Sequence, residues 1–313
     1  MKACVGVTDQ GWYEFLAARP HLTEANFWLP SGGPATFRVI APGDPLLFKT
    51  HYPHNRLVGG GILSDYRRLP MSLAWDAFGE ENGAASLVEM RRAIAKYRKA
   101  PLQADEDPVI GCVMLRDVAF PPASDVLPAP DDFAKNIVQW KGYTLGAESQ
   151  SPVERMFRWL VGVSPGALGG VDVVQMPDGP MFGRPRLVAP RLGQDAFVAV
   201  VQDAYRMRCA VTGAKIRPAL QAAHIRPVAR DGQHRVDNGL LLRADVHIMF
   251  DRGYLGVDPQ TKALHVSARL RTTFGNGEEF YAKAGTRIAV PERRVDRPNR
   301  EFLEWHMDEV FQP

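Results

Sequence analysis

The residues best suited to chemistry lie in one stretch, QAAHIRPVARDGQHRVDNGLLLRADVHIMFDRG, from Gln221 to Gly253. Within it His224, Asn238 and His247 follow at steps of 14 and 9 residues. A neutral imidazole, with an ordinary pKa of about 6.5, can take a proton from water near neutral pH and can also ligate a metal. His224 ends a short apolar run and precedes Ile-Arg-Pro. Asn238 sits in an Asp-Asn-Gly turn, where an Asn side chain bonds nearby backbone and tolerates left-handed geometry. His247 falls in ADVHIMFD, which reads as a helix. A strand ending in His, a turn-bearing loop, a second strand over Leu240–Leu242 and a helix bearing His247 predict a ββα hairpin that can hold one metal ion.

Taken singly, each feature has a plainer reading. A His in an apolar run is usually a packed core residue, and Asn-Gly is usually just a hairpin turn. Together, in this order, and flanked by AHIRP and LLLRADVHIMFDRG, they resemble the HNH, or ββα-metal, nuclease family over roughly 60 residues, from Tyr205 to about Ser267. The resemblance implies hydrolysis of phosphodiesters. His224 is then the general base. One divalent ion, Mg2+ or Mn2+, neutralises the phosphorane and the leaving 3′-oxygen. His247 is its ligand, presented from a rigid helix. Asn238 pins the loop, orients the base and is counted with His247 at the metal.

Two departures from the family pattern stand out. Many HNH sites carry Asp or His just before the base, where this chain has Ala223. Gln221, Asp237 and Asp251 are the candidate replacements, although Asp251 has a commoner fate in a helix-end cap or a pair with Arg252. Many such domains also hold zinc through paired CxxC motifs. Cys4, Cys112 and Cys209 are the three cysteines here, and no structural zinc is expected from their spacing. Cys209 is expected as a small buried residue in a knuckle turn. Val211, Ile216, Leu220 and Leu240–Leu242 are expected to form the hairpin core.

Composition describes an ordinary globular chain of 313 residues, 45% hydrophobic and 23% charged, for which two domains are the natural expectation. Its apolar runs are too short to span a bilayer, and no secretory leader is evident. Few cysteines fit a reducing cytoplasm. The net charge of +3 is unevenly spread: Gly183–Arg230 holds nine Lys or Arg against two Asp. A basic approach to a metal site suits a polyphosphate substrate, with Arg206, Arg208, Arg226 and Arg230 as DNA-backbone contacts. Arg184, Arg186, Arg191, Lys215 and Arg217 complete the run.

The first half of the chain is rich in strand signals. Phe37–Ile40 alternates, Pro45–Lys49 is apolar, and Leu57–Leu63 contains Gly59-Gly60-Gly61, where the backbone must bend or approach something closely. Val109–Asp117 is a further strand. Between them Ser86-Leu-Val-Glu89 is a capping box, and Leu87, Met90, Ile94 and Tyr97 recur at helical spacing. The segment GDPLLFKTHYPHNRLVGGGIL resembles the PUA-like superfamily, which includes EVE and SET-and-RING-associated domains, over around 100 residues. The resemblance implies a small β-barrel with inserted helices that reads a modified base. A flipped base needs aromatic faces and polar groups for its edge. The candidates are Trp28, His51, Tyr52, Asn55, Trp75 and Asp76, with core packing the plainer reading for any one of them.

Residues 148–192 read as a linker with one helix, opened by Ser151, Pro152 and Glu154. Gly166–Pro185 is its loop-like hinge. Helices are expected over Gln194–Tyr205 and Pro298–Phe311. The whole reading is an α+β chain. It has a PUA-like β-barrel at 1–147, a helical linker at 148–192 and a ββα-metal HNH domain at 193–313. It implies a modification-dependent DNA endonuclease acting on double-stranded DNA with 5-methylcytosine or 5-hydroxymethylcytosine. Double-strand cleavage by one active site calls for a homodimer or two sequential nicks, and the homodimer is expected. The alternatives are an HNH nuclease with another specificity (unmodified sequence, phosphorothioate or structured DNA) and a non-catalytic DNA-binding protein.

Overall fold

A computed structural model describes residues 2–34, 37–98, 102–103, 105–137, 139–146, 151–163 and 193–313. It divides into two compact units, Met1–Arg184 and Pro185–Pro313. The expected hinge Gly166–Pro185, and with it Arg184, Arg186 and Arg191, lies outside the described residues. Among the described residues no helix is long and apolar enough to cross a membrane.

The first unit runs β1 (Lys2–Thr8), α1 (Gln10–Ala17), β2 (Glu24–Leu29), β3 (Pro45–Thr50), β4 (Arg56–Pro70), α2 (Met71–Phe78), α3 (Leu87–Tyr97), β5 (Val109–Ala119), β6 (Leu127–Pro128), β7 (Trp140–Thr144) and α4 (Pro152–Val163). The strands form one mixed sheet in the order β2-β5-β4-β3-β1-β7, with β6 paired to β4. β1 and β3 are parallel, and the other pairs are antiparallel. Helices and sheet together give the expected α+β class.

Alternation along the strands feeds two cores. Cys4, Leu46 and Phe48 face one cluster with Trp12 and Leu16 of α1 and Phe27 of β2. Ala3, Val5 and Leu47 face the other, with Val153, Met156 and Leu160 of α4. The helix that the sequence places in the linker therefore contributes three side chains to the second cluster. Fully burying a Leu or Phe stabilises by roughly 1.5–3 kcal/mol, so these rows outweigh any single cap or surface pair.

The forward half of the capping box forms as expected, Ser86 Oγ accepting from Glu89 N at 3.2 Å, while Glu89 Oε2 reaches back one residue further, accepting from Ala85 N. Phe37–Ile40 differs from expectation and is not a strand. Its alternation reflects packing instead. Ile40 is buried, and the Phe37 ring meets Tyr66 and Trp140 at 5.5 and 5.0 Å.

The glycine triplet carries a bulge in β4. Val58 and Leu63 face the first core, while Leu57 and Ile62 face the second. An odd separation on one face means the alternation has slipped, which is what a bulge does. The pairing with β5 shifts register at Gly60/Ile62. Gly59 has φ 144°, and a Cβ there would collide with the Ala119 carbonyl oxygen. A Cβ on Gly60 would come within 2.8 Å of Leu47 Cδ2 and 2.9 Å of Leu46 O. Gly59→Ala should therefore destabilise the first unit by about 1–3 kcal/mol. Urea unfolding should show a lower midpoint with an unchanged slope; an unchanged midpoint would contradict the close approach.

The second unit runs α5 (Gln194–Ala204), β8 (Leu220–His224), β9 (Gly239–Arg243), α6 (Ala244–Asp251), β10 (Leu255–Val257), β11 (Leu264–Val266), α7 (Arg269–Phe274), α8 (Glu278–Tyr281) and α9 (Arg300–Glu309). β8 and β9 pair antiparallel, with His224 opposite Gly239. α5 lies close over this hairpin. A Cβ on Gly239 would come within 2.6 Å of Val201 Cγ2 and 3.1 Å of the Phe197 ring. Leu220 and Leu240–Leu242 are buried as expected. Ile216 is not; it is 61% exposed. The knuckle closes before it, through Cys209 N to Ala214 O at 3.0 Å, so the chain has left the core by Ile216.

Candidate functional site

The strand–loop–strand–helix order predicted around His224 is present. β8 ends on His224, a short turn over Val236–Asn238 leads into β9, and α6 begins directly after it. His224 and His247 are both half-buried. A charge on His247 disfavours charge on His224.

Asn238 is fully buried and spends its amide on backbone. Its Nδ2 donates to the carbonyls of Arg226 and Gln233, each at 2.9 Å, and its Oδ1 accepts from Arg226 N at 2.9 Å. Its own carbonyl accepts from Ile225 N. The residue thus ties down the chain just after His224 and just before His234. That matches the pinning expected of it. Both its donors are used, and its oxygen faces the loop backbone, so its expected place among the metal ligands is not something this geometry provides.

His224 has an environment that the sequence alone did not suggest. The Phe197 ring from α5 stacks on it at 4.1 Å and 9°. His224 Nε2 lies 3.0 Å from His234 Nδ1. Burial, then the neighbouring His234 and His247, push its pKa down to about 4. The imidazole is neutral at physiological pH, the form that can accept a proton.

His247 is oriented from outside. Gln221 Oε1 can only accept, so His247 Nδ1 donates to it, at 2.8 Å. A metal-ligating imidazole is typically fixed in this way. His247 Nε2 lies 3.3 Å from Asp251 Oδ2. An imidazole nitrogen and a carboxylate oxygen this close are donors of a kind that could hold a divalent ion, and of the three candidate replacements for Ala223 Asp251 is the one whose carboxylate stands beside His247. Among the described residues no three His, Cys, Asp or Glu side chains converge on a metal-sized site. Gln221 serves the ring of His247 rather than a metal. Asp237 is occupied by a two-pronged pair with Arg235 at 2.9 and 2.6 Å.

Cys209 is buried, and its sulfur accepts from the backbone N–H groups of Thr212 and Arg243 at 3.4 and 3.3 Å. Hydrogen bonds brace the knuckle turn there. The expected phosphate contacts differ in freedom. Arg226 is half-buried, lies over the Trp305 ring at 5.5 Å and bonds the Arg230 carbonyl. Arg208 and Arg230 are exposed. Arg206 is exposed and pairs with Glu292.

In the first unit a cavity of about 430 Å3 is walled by Trp12, Phe27, Trp28 and Trp140, with Asp9 and His51 among its polar groups. Of the six expected base-pocket residues, Trp28 and His51 line it. Trp28 is held from behind, its Nε1 donating to Asn82 O at 2.9 Å. Tyr52 is 69% exposed, and Lys135 Nζ lies 4.8 Å from its ring. Asn55 occupies a left-handed turn with φ 49°. Trp75 and Asp76 sit on α2 and do not line the cavity. Asp9 was not anticipated; its only signal is its position as the cap of α1, accepting from Gly11 N at 2.8 Å. Burial alone would raise its pKa, but hydrogen bonds from Tyr97 and Gly11 and the Lys96 charge hold it below the ordinary value.

α6 is supported from its far side by α9. His306 is 2% exposed, stacks on Phe250 at 3.7 Å and donates Nε2–H to the Phe250 carbonyl at 3.0 Å. Burial pushes its pKa down to about 4, against a small upward pull from that carbonyl. The folded value lies below the unfolded one, so the unfolded chain binds the extra proton between them. The stabilisation is whole above about pH 6.5 and is lost as pH falls toward 4, by roughly 3 kcal/mol in all. Urea midpoints should fall from pH 7.5 to pH 5, and His306→Phe should flatten the dependence. Parallel curves for the two proteins would remove His306 from this role.

Residues 209–258 match the family model described as HNH endonuclease. No curated protein matches the chain. Among solved structures, a modification-dependent TagI restriction endonuclease is similar at 23% identity and a TM-score of 0.29, covering 38% of each chain. The chain thus spans well under half the length of that relative. An ASCH protein from Zymomonas mobilis, in a point-mutant form, is similar at 10% identity and a TM-score of 0.33, covering 52% of this chain and 98% of its own. The unmutated ASCH protein from Zymomonas mobilis is similar at 9% identity and a TM-score of 0.25, covering 36% of this chain and 66% of its own. The matched segment contains His224, Asn238 and His247, so all three lie in the part of the chain that is similar to HNH endonucleases.

Proposed function

We propose that the protein is a metal-dependent DNA endonuclease that selects double-stranded DNA carrying modified cytosine. The observation that carries the cleavage part is His224, a neutral imidazole at the end of β8, held between the Phe197 ring and His234. It takes the proton of the attacking water while the phosphodiester bond to the 3′-oxygen breaks. His247, oriented by Gln221, would hold a divalent ion, Mg2+ or Mn2+, with Asp251 beside it. Bound there, the ion supplies charge neutralisation for the phosphorane and the leaving oxygen. Arg206, Arg208, Arg226 and Arg230 steady the DNA backbone. Double-strand cleavage is then shared by two copies of the chain.

The reading part rests on the aromatic cavity of the first unit. Its volume falls within the roughly 300–1,000 Å3 common for small-ligand sites. Tryptophan faces suit the two faces of a flipped base, and the Asp9 carboxylate suits the exocyclic amino group of cytosine. Trp75 and Asp76 are dropped from this role because they lie outside the cavity lining.

Two measurements test the proposal. With Mg2+ or Mn2+, the purified protein should cut plasmids that carry modified cytosine. His224→Ala should lower cleavage on the order of 10²–10⁴-fold while leaving DNA binding nearly intact; a variant cutting at over about a tenth of the parent rate would reject the base. The full-length His224→Ala chain, unable to cut, should bind 5-methylcytosine or 5-hydroxymethylcytosine duplex more tightly than the matched cytosine duplex. Stacking contributes roughly 1–3 kcal/mol per base, so Trp28→Ala should reduce that discrimination by about tenfold. Equal affinity for all three duplexes would instead favour an HNH nuclease of other specificity.

A further inference from the structure

We propose that His234 is a positioning residue for His224: its Nδ1 accepts the Nε2 proton of His224 and leaves the Nδ1 lone pair of His224 for the attacking water. The inference rests on the nuclease reading of the site and adds to it a residue outside the His224–Asn238–His247 set.

The argument starts from the 3.0 Å separation of the two nitrogens. Two ring nitrogens at that distance share one proton. A neutral imidazole has one donor and one acceptor nitrogen. If His234 donated, His224 Nε2 would be the acceptor and His224 Nδ1 would carry the other proton. Both nitrogens of His224 would then be occupied, and it could not act as a base. With His224 as donor, its Nδ1 is bare. The water O–H bond then breaks toward Nδ1, and the oxygen electron pair forms the bond to phosphorus. The bond to the 3′-oxygen breaks in turn, and that oxygen takes a proton from solvent.

The surroundings favour a fixed geometry. Phe197 holds the plane of His224 to within 9° of its own. His234 meets His224 edge-on at 64°, with centroids 5.0 Å apart, which points a nitrogen of one ring at the edge of the other. Asn238 clamps Arg226 and Gln233, the backbone beside each histidine. The 10-residue separation of His224 and His234 is therefore a closed loop with its two rings in register, not a free excursion of chain.

The test uses the full-length protein. His234→Ala should lower kcat by about 10–100-fold, the size of loss typical when the hydrogen-bond partner that orients a metal-bound imidazole is removed, with KM and DNA affinity unchanged. His234→Asn places an amide oxygen where Nδ1 was and should return kcat to within about threefold of the parent. Long-range proton–nitrogen NMR of the parent at pH 7 should show His224 protonated at Nε2 and bare at Nδ1. This readout needs no cleavage, so a chain inert on every DNA would reject the nuclease reading while still leaving the tautomer measured. His224 protonated at Nδ1 would overturn the inference. So would parental kcat in His234→Ala, or a loss in His234→Asn equal to that in His234→Ala.

Discussion

The second unit depends on one buried amide. Asn238 makes three hydrogen bonds to the backbone of Arg226 and Gln233 from a fully buried position. Leaving such groups unpaired in the interior costs roughly 1–3 kcal/mol each. The loop from His224 to Asn238 must carry basic residues outward and still return its two histidines to one place. A hydrophobic contact would close that loop without fixing its register. An amide with two donors and an acceptor fixes both ends at once. The stacked Phe197 then sets the plane of His224 from the opposite side, which is why α5 belongs to the site although it bears none of its polar groups.

Charge is handled by exclusion around His224 and by pairing elsewhere. His224 and His306 are both kept neutral by burial, and each has an aromatic ring stacked on it. Arginines that would otherwise crowd the loop are committed: Arg235 to Asp237, and Arg243 to Asp245. Exposed ion pairs of the latter kind contribute little stability; their effect is to hold cationic side chains in set directions. The same economy appears at Cys209, where two backbone N–H groups meet one sulfur and brace the turn.

The first unit solves a different problem. Its sheet is covered on both faces, so every strand must send alternate residues to opposite cores. α1 covers one side and α4 the other. The glycine triplet in β4 lets the strand change which residues face which core without losing its neighbours, because only a residue without Cβ fits against Ala119, Leu46 and Leu47. The aromatic cavity lies at the α1 side of this sheet, where Trp12 and Trp28 are anchored by packing and by the Asn82 carbonyl.

Much of the candidate site was legible because its signals are local. A strand ending in His224, an Asp-Asn-Gly turn and a helix carrying His247 each follow from a few neighbouring residues. So do the Ser86 and Ser151 caps and the need for glycine at 59–61. What the sequence could not settle were contacts between residues far apart along the chain. Phe197 reaches His224 across 27 positions, and Gln221 reaches His247 across 26. Ten residues separate His224 and His234, yet only the Asn238 clamp brings their nitrogens together. The cavity shows the same division: Trp28 and His51 were recognisable as aromatic and polar candidates, whereas Trp75, Asp76 and Asp9 were sorted by where α1 and α2 pack. Local periodicity and turn chemistry determined the elements of this protein. Which side chains meet was decided by the sheet register, the loop clamp and the helices laid across them, because those distances depend on the whole packed unit.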